Sequence, residues 1–507
     1  MSPSIRTAEH GHREPARNVH SGALAARGRQ HLPGRFALCL ALYFAAQTVI
    51  RLAFPHALES DEAEQVLWSQ WLTIAYPTQP PLYTWLVIGL NRLTHAPIWT
   101  LALLKNALLL VLYLSVLQAG RRLFADPLRP VLATAALFLI PQIAWESQRD
   151  LTHSVLAMAL AARLFVVTLD LLRRTAWASL RWGVLAGLLL LTKLNGLYFL
   201  FAVSIAAAAT TRRAEVRAAL VRAWVTAVIV AAPSLLALPA SPLEATVALR
   251  SDAHATLGAS LQSLALATIS FVLPFLLVWT LCFRPWPAKA PTLRQPFRFS
   301  VYFGVLLVTL GLTAWALGMP HFKDRWLQPL LFLLPVWAFS LTGEHAIGAV
   351  RARSYLMLCG ASAVSIVLLM PLRILLGPSL GEPNRMNLDY PALATRLEAA
   401  GAQHARIVAA DPLSAGNLKL QLPASAVVEP VTLAHLGWPN DTTAGPCLWV
   451  WRSTAAGDAP PRALTDLAAM HGVSLDARPS IPIPAWPAGG EPFAFGHAVT
   501  DRCPDLD

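Results

Sequence analysis

The chain has 507 residues, 55% hydrophobic and only 13% charged, with a mean hydropathy of +0.50. A soluble domain carries about 25% charged residues, so this composition excludes a water-soluble globule and describes an integral membrane protein. The formal charge of +12 does not indicate nucleic acid: residues 381–507 hold eight Lys/Arg against thirteen Asp/Glu, net −5, leaving +17 in the apolar part, and no clustered basic face with interleaved aromatics occurs.

Residues 1–35 are rich in Arg and His, with Gly and Pro, and are expected to form a disordered cytoplasmic tail. The apolar stretch from Phe36 to Phe54 lacks a small-residue cleavage site and precedes further spans, so it reads as a first crossing rather than a secretory signal. A crossing needs about 20 mostly apolar residues. Further candidates lie at 99–119, 128–145, 151–172, 180–192, 194–210, 218–238, 262–283, 300–317, 325–342 and 354–376, giving about 11 spans and a membrane domain over 36–376. The short pair 180–192 and 194–210, interrupted by Thr192-Lys193-Leu194-Asn195-Gly196, reads as two crossings or as a tight hairpin reaching partway across.

Charge orients the set. Arg121-Arg122, Arg173-Arg174, Arg212-Arg213-Arg217, Arg284 to Arg298 and Arg351-Arg353 share one side with the Arg-rich N-terminus, whereas the loop from Pro55 to Leu82 contains no Lys or Arg. The positive-inside rule puts the arginines in the cytoplasm and that loop outside. An odd number of spans then places residues 377–507 outside as well. These read as a small α/β domain: an amphipathic helix over Tyr390 to Ala400, a strand at Arg406 to Ala410, a turn at Asp411-Pro412, a strand at Leu448 to Trp451 and a helix from Ala463 to His471. Cys39, Cys282 and Cys359 fall in or at the ends of apolar segments and read as small buried hydrophobes. Cys447 and Cys503 both fall in the C-terminal region, and sequence alone leaves a disulfide between them open.

Just past the first span lies Glu59-Ser60-Asp61-Glu62-Ala63-Glu64, followed by Tyr76-Pro77-Thr78-Gln79-Pro80-Pro81-Leu82-Tyr83-Thr84-Trp85. Acidic groups at a bilayer surface are costly unless solvated or used. With Ser60 as N-cap, Asp61, Glu62 and Glu64 occupy a first helical turn, where acidic residues also have the purely structural use of opposing the helix dipole. Asp61, Gln65 and Trp68 then share one face. Among cations, Arg149 sits with Glu146 and Asp150 in a junction between spans, where mutual salt bridging is the ordinary structural reading. His321, Lys323 and Arg325 lie in another junction, where snorkelling basic groups and an anchoring Trp326 are the ordinary reading. Lys193 is harder to dismiss, because an ammonium among apolar helices costs about 3 kcal/mol or more unless it faces a partner or polar cavity. His153 reads as structural.

These segments resemble the GT-C fold glycosyltransferases that use polyprenyl-phosphate sugars, in the subgroup of protein O-mannosyltransferases and bacterial lipid A aminoarabinose transferases. The resemblance covers residues 36–345 and is carried by 58–86 and by His321-Phe322-Lys323-Asp324-Arg325-Trp326. It implies an all-α polytopic membrane fold and a sugar donor linked to undecaprenyl phosphate. It implies that Asp61 is the catalytic base, with Glu62 as second member of the pair. Lys193, Arg149, His321, Lys323 and Arg325 become candidates for the donor phosphate, and Gln65, Tyr76, Gln79, Tyr83 and Asp150 for lining the substrate. Many relatives carry Lys or His immediately before Pro-Pro-Leu where this chain has Gln79, so a phosphate-binding role there falls to another cation.

The expected activity is transfer of a sugar from that donor to a lipid, glycan or protein acceptor at the periplasmic face of a bacterial inner membrane. Membrane lipids are the surroundings and nucleic acid is not a partner. No cofactor is called for, and a divalent metal ion is left open, since too few ligands assemble to define a site. A transporter or flippase of lipid-linked sugars is the alternative, but it should show inverted repeats and ionisable groups near the bilayer midplane. A third reading is a scaffold whose C-terminal domain binds an envelope partner.

Overall fold

The computed structural model describes residues 31–236, 256–283, 293–317, 322–343, 347–399, 405–439, 447–453, 459–489 and 491–504. Helix α1 (Leu32–Leu52) is followed by two short helices, α2 (Ser60–Trp68) and α3 (Leu82–Thr94), and then by α4 (Pro97–Leu123). Helix α5 (Leu128–Ala135) continues as a 3-10 turn to Leu139, then bends into α6 (Pro141–Ala144) and α7 (Glu146–Arg149). Next come α8 (His153–Leu172), α9 (Ala178–Leu190), α10 (Gly196–Thr210), α11 (Ala214–Leu236), α12 (Leu257–Phe283) and α13 (Phe299–Leu317). A 3-10 turn at Asp324–Leu327 leads through α14 (Gln328–Leu331) to α15 (Leu334–Leu341), and α16 (Ala349–Leu376) ends the membrane part.

The expected 11 spans resolve into a less uniform set. Among the described residues seven helices, α1, α4, α8, α11, α12, α13 and α16, are long and apolar enough to cross a membrane, or eight spans if the pair 128–139 and 141–149, bent by 82°, counts as one. Helices α9 and α10 are apolar but only 13 and 15 residues long, and 325–342 is broken into short pieces. Pro141 starts the bend, since proline lacks the N–H that would continue the preceding helix. Helix α1 begins at Leu32, inside the segment expected to be tail; residues 1–30 lie outside the described set. Helix α9 packs on α11 at backbone distance: a methyl on Gly183 would sit 2.5 Å from the Ala223 carbonyl, so only glycine permits this small-residue seam. Outward faces of the long helices present Leu38, Leu42 and Val49 on α1, and Ile229, Leu281 and Val308 on α11 to α13, as lipid-facing surfaces do. Cys39 is exposed on that surface rather than buried.

The C-terminal part is a five-stranded sheet of order β2-β1-β3-β5-β4, formed by β1 (Arg406–Ala409), β2 (Ala426–Val428), β3 (Cys447–Arg452), β4 (Arg478–Ile483) and β5 (Phe493–Thr500). β1 pairs parallel with β2 and β3, while β5 runs antiparallel to both β3 and β4. Helices α17 (Tyr390–Leu397), α18 (Pro412–Gln421), α19 (Pro430–Leu436) and α20 (Arg462–Met470) accompany it. Where a turn was expected, Asp411 caps α18 by accepting from Ser414 N (2.9 Å), and Pro412 opens its first turn. Cys447 and Cys503 form a disulfide.

Helix α2 is shared between two hydrophobic cores. Leu67 and Trp68 join the core of the sheet domain, together with Trp71 and Tyr76. Ala63 and Val66 pack instead with Tyr83, Val87, Leu101 and Leu156 of the membrane part.

Candidate functional site

The cap of α2 is Glu59, one residue earlier than expected, with extended backbone (φ −74°, ψ 169°). Ser60 therefore starts the helix, and Asp61 and Glu62 stand in its first turn. The free N–H of Asp61 donates to Asp150 Oδ1 at 2.8 Å. Asp150 is buried behind α7, and its other oxygen lies 3.6 Å from Arg385 Nη1 of the C-terminal part. Burial first and the Asp150 charge second push the Asp61 carboxyl up to about 6; Arg325, Lys193 and Lys105 pull the other way. The result is a carboxylate whose proton affinity suits a general base near neutral pH.

Glu62 points elsewhere. Its Oε2 lies 2.7 Å from Arg51 Nη2 and its Oε1 3.0 Å from Lys105 Nζ, with both glutamate and lysine buried. Burial alone would raise this carboxyl, but Arg51 and Lys105 outweigh it and hold it at about 2. Glu59 pairs with Arg373 of α16 at 2.6 Å. Glu64 accepts from Thr78 Oγ1 (3.2 Å), and burial, with the Asp61 charge adding to it, pushes it up to about 8.

Lys193 sits in the break between α9 and α10 and donates to Ser154 Oγ at 2.6 Å. That break is tied to the proline-rich loop by a backbone bond from Leu82 N to Leu191 O (3.0 Å). Lys193, Arg325 and Asp61 act on one another electrostatically. Arg325 also lines an open cavity of 820 Å³, together with Arg149, Lys323, Glu146, Gln142 and Asp324. Arg149 is salt-bridged to Glu146 (2.6 Å), the ordinary reading of that junction. Lys323 is exposed, and neither it nor Arg325 has an ion pair with any other described residue. His321 lies outside the described residues.

The lining candidates divide. Gln65 is buried and accepts from Thr84 Oγ1 (2.8 Å), while its Nε2 and the buried Tyr83 hydroxyl have no partner among the described residues. The Tyr83 ring stands 5.2 Å from that of His153. Tyr76 is used structurally: it stacks on Trp68 and its hydroxyl donates to Trp71 O (2.7 Å). Gln79 is half-buried in the loop. The sequence reading missed Lys105 and Arg51, although an ammonium eight residues into an apolar span was a visible signal. It gave no sign either that Asn417 and Gly416 of α18 contact the chain at Leu58 and Ala63. Among the described residues no group of three or more His, Cys, Asp or Glu side chains is arranged to hold a metal ion.

No family model matches the chain. The lipopolysaccharide core galacturonosyltransferase RgtB of Rhizobium johnstonii is 31% identical over 503 residues, spanning 94% of this chain and 99% of that protein. RgtA of the same organism, also a lipopolysaccharide core galacturonosyltransferase, is 28% identical over 490 residues, or 91% and 96% of the two chains. Among solved structures, ArnT from Cupriavidus metallidurans bound to undecaprenyl phosphate matches with a TM-score of 0.56 at 14% identity, over 92% of this chain and 98% of that one. Its apo state gives 0.55 at 15%, over 93% and 98%. The structural likeness carries the fold, and the end-to-end kinship in sequence carries the class of enzyme: this chain belongs to the membrane-embedded GT-C glycosyltransferases, in the family of the lipopolysaccharide core galacturonosyltransferases.

Proposed function

We propose that the chain transfers a galacturonosyl residue from an undecaprenyl-phosphate-linked donor to a sugar of the lipopolysaccharide core, at the periplasmic face of the inner membrane. Sugar and acceptor follow the names of RgtB and RgtA, and the carrier follows the lipid bound to ArnT. The observation that carries the reading is the grouping of Asp61, Lys193 and Arg325 at one end of the bundle, with Arg325 lining the large cavity. The arginine-rich loops at the other end and the Cys447–Cys503 disulfide support a periplasmic orientation of this end.

In this mechanism Asp61 takes the proton of the acceptor hydroxyl as its oxygen attacks the anomeric carbon. The bond from that carbon to the phosphate oxygen breaks, and polyprenyl phosphate leaves with one more negative charge than the phosphate bore in the donor. Lys193 and Arg325 receive that growing charge, with Lys323 and Arg149 along the cavity wall, so they favour the transition state over the ground state. Single displacement inverts the anomeric configuration.

Asp61→Asn tests the assignment. The purified variant, assayed with polyprenyl-phosphate galacturonic acid and lipopolysaccharide, should lose roughly 10²–10⁴-fold in turnover while remaining folded. Near-normal transfer by this variant overturns the base assignment.

A further inference from the structure

The sheet domain touches the helix that carries Asp61 more intimately than packing requires. A methyl group on Gly416 of α18 would lie 2.0 Å from the Ala63 carbonyl oxygen and 2.4 Å from its carbon, so the two helices meet at backbone distance. Next to it, Asn417 pairs with both backbone groups of Leu58 in the chain entering α2: its Oδ1 accepts from Leu58 N (2.8 Å), and its Nδ2 donates to Leu58 O (3.3 Å) and to Leu413 O (2.9 Å). Just past the far end of α2, Gln70 pairs likewise with strand β2, donating to Val427 O (2.7 Å) and accepting from Val427 N (3.2 Å). Between them, Trp68 Nε1 donates to Thr432 Oγ1 at 3.4 Å. Asp150, which holds the Asp61 N–H, is itself approached by Arg385.

We infer that the C-terminal domain is a positioning element for the transfer reaction: Asn417 and Gly416 fix the register and height of α2, and so the place of the Asp61 carboxylate. This rests on the reading of Asp61 as base. The argument is geometric. Leu58 is three residues ahead of Asp61, Ala63 two residues behind it, and both are held through the backbone, so neither can move without carrying the carboxylate. An alanine at 416 cannot be absorbed by rotating a side chain, because what it meets is main chain; α2 and α18 must part by about 1 Å or more to restore ordinary contact, which strains the hold on α2. Displacements of that size cost on the order of 10²-fold in rate when they misplace a reacting group.

The test uses the full chain with Asn417→Ala, Gly416→Ala and Asp61→Asn, each normalised to monodisperse protein in detergent. Assays use polyprenyl-phosphate galacturonic acid and lipopolysaccharide. Asn417→Ala and Gly416→Ala are expected to lower kcat at least about tenfold with the KM of donor and acceptor within twofold of the parent. A raised acceptor KM with kcat intact makes the domain an acceptor-docking module and overturns the inference, as do unchanged kinetics. If neither variant yields monodisperse protein, the contact is a folding requirement and the inference falls too. The Asp61→Asn arm separates the two ideas: an active variant removes the base assignment itself, whereas an inactive one beside a fully active Asn417→Ala sinks only the positioning role.

Discussion

Glu62→Gln separates structure from chemistry in the acidic pair. The amide keeps the shape of the carboxylate but removes its charge, leaving buried Lys105, only 2% exposed, and Arg51 against a neutral group. A carboxyl held at about 2 instead of the ordinary 4.5 is worth roughly 3 kcal/mol to the folded state at neutral pH. Breaking a buried ion pair from one side costs about 3–5 kcal/mol, so the two figures agree. Because the folded value is depressed, this stabilisation is complete above 4.5 and disappears as pH falls through about 2. At pH 7 the parent has all of it and the variant none. The thermal unfolding midpoint of Glu62→Gln in detergent at pH 7 should therefore be several degrees lower, with residual transfer per folded molecule well above that of Asp61→Asn. An unchanged midpoint together with abolished transfer would refute this reasoning and make Glu62 a participant in the chemistry.

Further expectations concern charge, the disulfide and compartment. If Asp61 is the base, as proposed, it must be ionised to act, and kcat/KM should fall about tenfold per pH unit below about 6. Asp150→Asn, which can still accept the Asp61 N–H but removes the repelling charge, should move that acid limb to lower pH; a limb that stays in place refutes the electrostatic account. Cys447→Ser, which opens a disulfide bridging a sequence separation of 56, should cost up to about 4 kcal/mol of domain stability. In intact spheroplasts a membrane-impermeant maleimide should label the freed Cys503; labelling only after lysis would reverse the orientation.

Much of this was legible in the chain. Hydropathy and charge marked the membrane part, and the acidic run and proline-rich loop singled out Asp61 as the candidate base. Lys193 stood out for the same reason, an ammonium amid apolar residues. What the chain did not show was pairing. Glu62 looks like Asp61 in sequence and differs because Arg51 and Lys105 converge on it, one from α1 and one from α4. Tyr76 sits in the same motif as Tyr83, but its hydroxyl is consumed by Trp71 O, whereas that of Tyr83 has no partner among the described residues. The turn expected at Asp411-Pro412 is a helix start because Ser414 follows at capping distance. Asn417 and Gly416 gave no signal, since their partners lie some 350 residues away and only the folded chain brings them together.

Strand β2 is the outermost on its side of the sheet, and the amide of Gln70 occupies its free backbone edge at Val427. An unpaired edge is a template for a second strand. A soluble fragment cut just after α16 would expose this template, and such fragments should pair edge to edge through β2 into aggregates. Tethering the domain to the bundle thus guards this edge against self-recruitment by other copies of the chain.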